Sequence, residues 1–200
     1  MKTDDLVGCI LAAGGSTRFG QAKQLLPFRG DTLLGFVMRQ VNRSKLGRIV
    51  VVLGREAERV RGSVDWGRAT VVDNLAYGTG CASSLLAGID SAGECGGIML
   101  LLGDQPGVGR EQIDRVQEQW LAKRPWASAT QYNDGLGHPL VFAREAFGAL
   151  RSLHGDKAVW KLIDGFPDRV DRIEIDSLLP PDLDTPEDYE RVQAALGSAP

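Results

Sequence analysis

Short runs of consecutive apolar residues mark the first half of the chain: Val7 to Ala12, Ile49 to Leu53 and Ile98 to Leu102, each closely followed by glycine. Runs this short, apolar on successive positions, predict strands buried on both faces, as in parallel sheets covered by helices. Thr70 to Val72 is a further short strand candidate. Between them the apolar spacing becomes helical. Thr32 is placed to N-cap a helix carrying Leu33, Leu34, Phe36, Val37 and Val41. Ser83 to Asp90 and Gln112 to Leu121 repeat the pattern. Strand alternating with helix implies crossover connections and an α/β sheet with a nucleotide-type crevice.

The last third reads differently. Ala127 to Gln131 and Pro139 to Ala143 are strand-like and flank the turn residues Asn133-Asp134-Gly135. Short helices are expected at Phe147 to Leu150 and Ala158 to Ile163, and a late strand at Val170 to Ile175. Pro186 to Leu196 predicts a final helix, with Thr185 as N-cap, Pro186 at the first helical position, and Glu187 and Asp188 in the first turn. Gly197 to Pro200 reads as a tail.

Composition narrows the class. The chain has 200 residues, 43% of them hydrophobic, which suits one globular domain over residues 1–196. The formal net charge of −3 gives no basic footprint for nucleic acid. No run approaches the roughly 18 apolar residues of a membrane span, and the acidic Met1-Lys2-Thr3-Asp4-Asp5 start is unlike a signal peptide. Cys9, Cys81 and Cys95 are too scattered for a disulfide framework or thiolate zinc site, so a cytoplasmic protein is expected. The four tryptophans are too dispersed for a base-stacking set and read as packing residues.

The densest chemistry follows the first strand: Leu11-Ala12-Ala13-Gly14-Gly15-Ser16-Thr17-Arg18-Phe19-Gly20-Gln21-Ala22-Lys23-Gln24-Leu25-Leu26-Pro27. Glycines after a strand let the backbone turn tightly and bring N–H groups onto an anion. Arg18 and Lys23 add a guanidinium fork and a point-like ammonium, a pair suited to a triphosphate. The loop is neither a Walker A loop, since Gln21 stands where lysine is needed, nor a G-x-G-x-x-G fingerprint. Taken alone, it also fits a surface loop with solvated charges.

The same stretch resembles the signature L-A-x-G-x-S-x-R-x-G-x-x-K-x-L of the molybdenum cofactor nucleotidyltransferases. These are a branch of the Rossmann-like nucleotidyltransferases. Further segments resemble the family in its own order. They are Tyr77 to Leu85, Leu102-Gly103-Asp104-Gln105-Pro106, Gly137-His138-Pro139, Gly155-Asp156 and Asp182 to Asp188. The resemblance implies a single-domain Rossmann-like α/β fold, with a mostly parallel central sheet and helices on both faces, its nucleotide-binding half at about 1–106 and its acceptor-binding half at about 107–196.

It also implies a reaction: a substrate phosphate attacks the α-phosphorus of a nucleoside triphosphate and expels pyrophosphate. Such a site mainly aligns groups and neutralises charge. By resemblance, Leu11, Ala12, Ala13, Gly14, Gly15 and Ser16 receive the nucleotide, Arg18 steadies its β- and γ-phosphates, and Lys23 stabilises the transition state. Gly78, Gly80, Ser83 and Ser84 approach the base, although the serines also suit a simple helix start. Asp104, beyond a strand's carboxyl end, and Asp184 are the expected Mg²⁺ ligands, with Asp182 the alternative to Asp184. Each aspartate also fits a turn or cap. Gln105, Pro106, His138 and Asp156 are the acceptor-side candidates; His138 and Asp156 equally suit structural roles.

Within the family, L-A-A-G is common in the cytidylyl branch and L-A-G-G in the guanylyl branch. Ala13 therefore favours CTP over GTP, with a molybdopterin-type acceptor and a molybdoenzyme or its maturation chaperone as receiver of the product. Ala22 departs from the proline often found there, which changes loop stiffness but no charge. The alternatives are guanylyl transfer, another small phosphorylated acceptor, or a non-catalytic nucleotide- or cofactor-binding protein on the same fold.

Overall fold

The computed structural model describes residues 5–14, 19–155 and 158–197. Gly15, Ser16, Arg18, Asp156 and the tail after Gly197 lie outside the described residues.

The three apolar runs form the centre of a seven-stranded sheet. They are β1 (Leu6–Ala12), β4 (Arg48–Leu53) and β6 (Gly97–Leu102). The other strands are β5 (Thr70–Asp73), β7 (Ala127–Tyr132), β8 (Gly135–Ala143) and β9 (Val170–Glu174), and the order is β5-β4-β1-β6-β8-β7-β9. All run parallel except β8, which is antiparallel to both β6 and β7. Strand β8 begins earlier than its apolar run predicts. Its first residues, Gly135 and Leu136, pair with Tyr132 and Gln131 directly after the Asn133-Asp134 turn. A small hairpin of β2 (Pro27–Phe28) and β3 (Asp31–Thr32) stands apart from the sheet.

Helices cover both faces. Alternate residues of β1 point to opposite sides: Ile10 joins one core with α1 (Leu33–Arg43) and α4 (Arg110–Lys123). Cys9 and Leu11 join another core with α3 (Cys81–Ala92), α5 (Phe147–Arg151) and α6 (Ala158–Gly165). This two-sided burial is why β1, β4 and β6 are apolar at successive positions. Thr32 caps α1 as the sequence predicts, its hydroxyl accepting from Gly35 N at 3.0 Å. The short α2 (Ala57–Arg61) has only Val60 buried and no apolar period to announce it.

A third, smaller core docks α7 (Pro186–Gly197) on the hairpin: Leu183 and Val192 pack with Leu26, Phe28 and Leu33. Gly197 is the last helical residue rather than the start of a tail. Tyr189 and Gln193 of α7 both donate to the Pro27 carbonyl. The end of the chain is thus folded against the segment that follows the glycine loop. No described helix is long and apolar enough to cross a membrane.

Helix α3 lies close to β1, since a Cβ added at Gly88 would collide with Cys9 Sγ. Both sites are in the interior, where overpacking costs about 1–3 kcal/mol. G88A is expected to lower the thermal midpoint by several degrees, at roughly 2–4 °C per kcal/mol for a chain of this size. Removing the opposing sulfur in C9A/G88A should recover part of the loss. Calorimetry on the two single variants and the double variant reads the coupling; additive effects would refute the close approach.

Candidate active site

The sheet order reverses between β1 and β6, because β4 lies on one side of β1 and β6 on the other. Ligands collect beyond the carboxyl ends of strands at such a switch point. A cleft of about 620 Å³ opens there, lined by residues from both strand ends, the loop before α3 and the segment before α7.

Its floor is set by close backbone approach. Gly103 N donates to Leu11 O at 2.9 Å, carrying the β1–β6 pairing past the end of β6. A Cβ at Gly103 would lie 2.9 Å from Ala12 Cβ, so glycine lets Asp104 stand beside the β1 loop. Gln24 is buried, and its amide donates to Ala12 O at 2.8 Å and Gly14 O at 3.1 Å. This side chain fixes the start of the glycine loop, a role the sequence reading did not assign.

Lys23 is the centre of the charged end. Its Nζ donates to Asp104 Oδ2 at 2.5 Å, Leu183 O at 3.0 Å and Asp184 Oδ1 at 3.3 Å. Burial opposes its charge, but Asp104 and then Asp184 more than offset that and push its pKa above the usual lysine value. The three residues come from a loop, a strand end and a helix entry far apart in sequence. Asp184 is fixed through its backbone, where its N–H donates to Asp188 Oδ2 at 3.3 Å. Thr185 and Asp188 complete a reciprocal cap: Asp188 N donates to the Thr185 hydroxyl, and Thr185 N donates to the Asp188 carboxylate.

Asp182 also lines the cleft. Burial, then the negative charges of Asp104 and Asp184, hold its carboxyl above the ordinary aspartate range. Gln105 donates to Asp182 Oδ1 at 2.5 Å. Among the described residues, no group of three or more His, Cys, Asp or Glu is gathered to hold a metal by itself. Asp104 and Asp184, both drawn to one ammonium nitrogen, fit the donor set of a Mg²⁺-like ion that takes one or two carboxylates and completes its shell with phosphate and water.

Of the residues expected to bind nucleotide, Leu11, Ala12, Ala13, Gly14, Lys23, Gly78, Gly80 and Ser84 line the cleft, together with Asp104 and Asp184. Ser83 does not. Its hydroxyl accepts from Asn74 Nδ2 at 2.8 Å and donates toward Ala76 O and Gly80 O, so it closes the loop before α3. Helix α3 starts two residues earlier than expected, at Cys81. Gly80 precedes it at φ 109°, a conformation that favours glycine. Tyr77, Thr79 and Cys81 of the same expected base-receiving segment also line the cleft.

On the acceptor side, Gln105, Pro106 and His138 do not line the cleft. Gln105 acts on it only through Asp182. His138 is buried in β8, its ring edge-on to Trp160 with centroids 5.6 Å apart, and the His138–Pro139 peptide is cis. Burial lowers its pKa to about 4, so the ring is neutral at pH 7.

Two tests follow. G80A forces a side chain into the positive-φ position; it is expected to lower stability by about 1–3 kcal/mol and to weaken nucleotide binding, both read by thermal shift. For His138, the unfolded ring takes up its proton near pH 6.5, well above the folded value. Stability is therefore lost as pH falls from 6.5 toward 4. Urea unfolding of H138Q should show a shallower decline across that window, by up to about 1.4 kcal/mol per pH unit. Parallel curves would place the proton uptake elsewhere.

The comparisons with known proteins agree with this geometry. The MobA-like NTP transferase domain model matches residues 8–172. The nicotine blue oxidoreductase of Paenarthrobacter nicotinovorans is 30% identical over 94% of this chain and 96% of its own length. A Thermococcus kodakarensis protein named "Probable molybdenum cofactor guanylyltransferase" is 31% identical over 68% of this chain and 64% of its own length. Rv0371c of Mycobacterium tuberculosis superposes with a TM-score of 0.88 at 35% identity, covering 96% of this chain and 100% of that one. A second structure of it, a complex with manganese, gives 0.82 at 33% identity, covering 96% and 99%. The chain belongs to the MobA-like NTP transferase family and is a nucleotidyltransferase.

Proposed function

We propose that the protein transfers CMP from CTP to a phosphorylated pterin of the molybdopterin type, with release of pyrophosphate and dependence on Mg²⁺. The observation that carries this reading is the convergence of Lys23, Asp104 and Asp184 at the end of the glycine-lined cleft. Asp104 and Asp184 would hold the metal, which when bound neutralises phosphate charge. Lys23, released from their carboxylates, would then face the α-phosphoryl group and stabilise the charge that builds there. Arg18, by resemblance, would steady the β- and γ-phosphates. Gly78 and Gly80 present backbone without side chains, leaving room for a flat base. Cytoplasmic synthesis would suit the free cysteines Cys9, Cys81 and Cys95.

The choice of CTP is supported by Ala13. Its methyl sits against Gly54, where an added Cβ would lie 2.9 Å away, and the residue lines the cleft. By resemblance, alanine at this place marks the cytidylyl branch, whereas the guanylyl branch has glycine there. The acceptor side would be shaped by Gln105 through its hold on Asp182, with Pro106 and, by resemblance, Asp156; His138, packed on Trp160, would support β8 beneath that side rather than touch the acceptor. The product would pass to a molybdoenzyme or its maturation chaperone. A second reading, redox chemistry, draws on the name of the Paenarthrobacter relative. Paired carboxylates around a lysine serve phosphoryl chemistry better than hydride transfer.

Thermal unfolding with CTP, GTP, ATP and UTP, each with and without Mg²⁺, tests the donor. Mg²⁺-dependent stabilisation by CTP is expected, about 2.7 kcal/mol at a hundredfold excess over Kd, and D104N should lose its metal-dependent part. In pyrophosphate-release assays, K23A should lower kcat more than it raises the KM for CTP. Selective stabilisation by GTP would move the protein to guanylyl transfer. Indifference to every nucleotide, with and without acceptor, would sink the transferase reading of this cleft.

A further inference from the structure

The opposite end of the sheet carries a second concavity, of about 750 Å³. It lies where β6, β7 and β9 begin and β8 ends, around Gly96, Trp126, Arg169 and Ala143. Strand β6 is six residues long, which puts this concavity about 17–20 Å from the catalytic cleft.

Arg124, Arg144 and Arg169 all line it. Their supports are neutral. Arg124 caps α4 in the left-handed conformation (φ 51°), with its guanidinium 4.8 Å from the centre of the Trp120 ring. Arg169 lies 4.3 Å from the centre of Trp126, which is itself tilted against Phe166. Arg144 donates weakly to Cys95 O at 3.5 Å, while its backbone N–H is fixed on Gly96 O at 2.9 Å. Among the described residues none of the three forms an ion pair, although Glu145 lines the same hollow.

Elsewhere on this net-acidic chain arginines do find carboxylates: Arg39 pairs with Asp31, Arg48 with Asp5 and Arg61 with Asp73. Three guanidinium groups sharing a hollow with one carboxylate, and paired with none, leave an excess of positive charge that an anion placed among them relieves. Their planar forks match phosphate oxygens in paired hydrogen bonds, and ring faces hold two of them in place. The tryptophan faces are thereby engaged by the guanidinium groups, so the ligand is recognised by its charge. A recess, rather than a flat face, suits a small molecule.

We propose that this concavity is a second binding site, for a small anion carrying phosphate groups. It does not depend on the identity of the nucleotide or acceptor in the cleft. Trp120 and Trp126 line it and report on it, so the test is tryptophan fluorescence during titration of inorganic pyrophosphate in EDTA. A parallel arm uses glycerol phosphate; tighter binding of the first marks a free polyphosphate, of the second a phosphate ester. A saturable change with at least one of them is expected, retained in K23A and weakened at least tenfold in R124Q/R169Q. R144Q alone should weaken it severalfold. All three arginines are exposed, and unfolding curves confirm that the variants remain folded. The proposal is overturned by a response that K23A abolishes, that R124Q/R169Q leaves intact, or that matched sodium chloride reproduces. Absence of a saturable response to both probes overturns it equally.

Discussion

The site depends on one partly buried ammonium. Lys23 sits between Asp104 and Asp184 and also donates to the carbonyl of Leu183. Without that charge, two carboxylates and their neighbour Asp182 would face each other across a partly desolvated cleft. Without the carboxylates, the ammonium would be buried unpaired, a state that costs several kcal/mol. The loop after β1, the end of β6 and the entry to α7 are therefore mutually constrained, although no strand or helix joins them directly. In the proposed reaction a metal drawn to the two carboxylates would free this ammonium to meet phosphate charge.

The apolar framework explains how the three reach one point. Beside β1, the parallel pairing of β6 brings Leu102 level with Leu11, and the Gly103 N–H extends the contact by one more bond. Nothing bulkier than glycine at 103 would let Asp104 stand so near Ala12. From the other side, Leu183 and Val192 bury against the hairpin that follows Lys23. Two apolar residues thus place one carboxylate, and the Thr185–Asp188 cap fixes its backbone.

Much of this was legible in the sequence. The consecutive apolar runs marked β1, β4 and β6 because both of their faces are covered, and Thr32 and Thr185 marked helix entries because their hydroxyls do cap. Lys23, Asp104 and Asp184 were singled out by motif and do meet. What escaped the reading depends on tertiary approach. Gln24 is a plain polar residue in sequence, and only its burial turns it into a brace for the loop. Asn74 binds both Ser83 and Ser84, an arrangement invisible until β5 and α3 are placed side by side. His138 has the composition of a site residue, yet packing against Trp160 makes it an interior one.

The family match ends at residue 172, whereas Asp184 lies beyond it, on the segment held by α7. On that segment only Leu183 and Val192 are fully buried in the small core, worth about 1.5–3 kcal/mol each. The sheet is secured by far larger interior surfaces. Local opening of the last segment should therefore be much easier than unfolding the domain. In such an opening the sheet would persist while Asp184 departed. The sheet and Asp184 are thus secured by different surfaces, so the one can hold while the other is withdrawn.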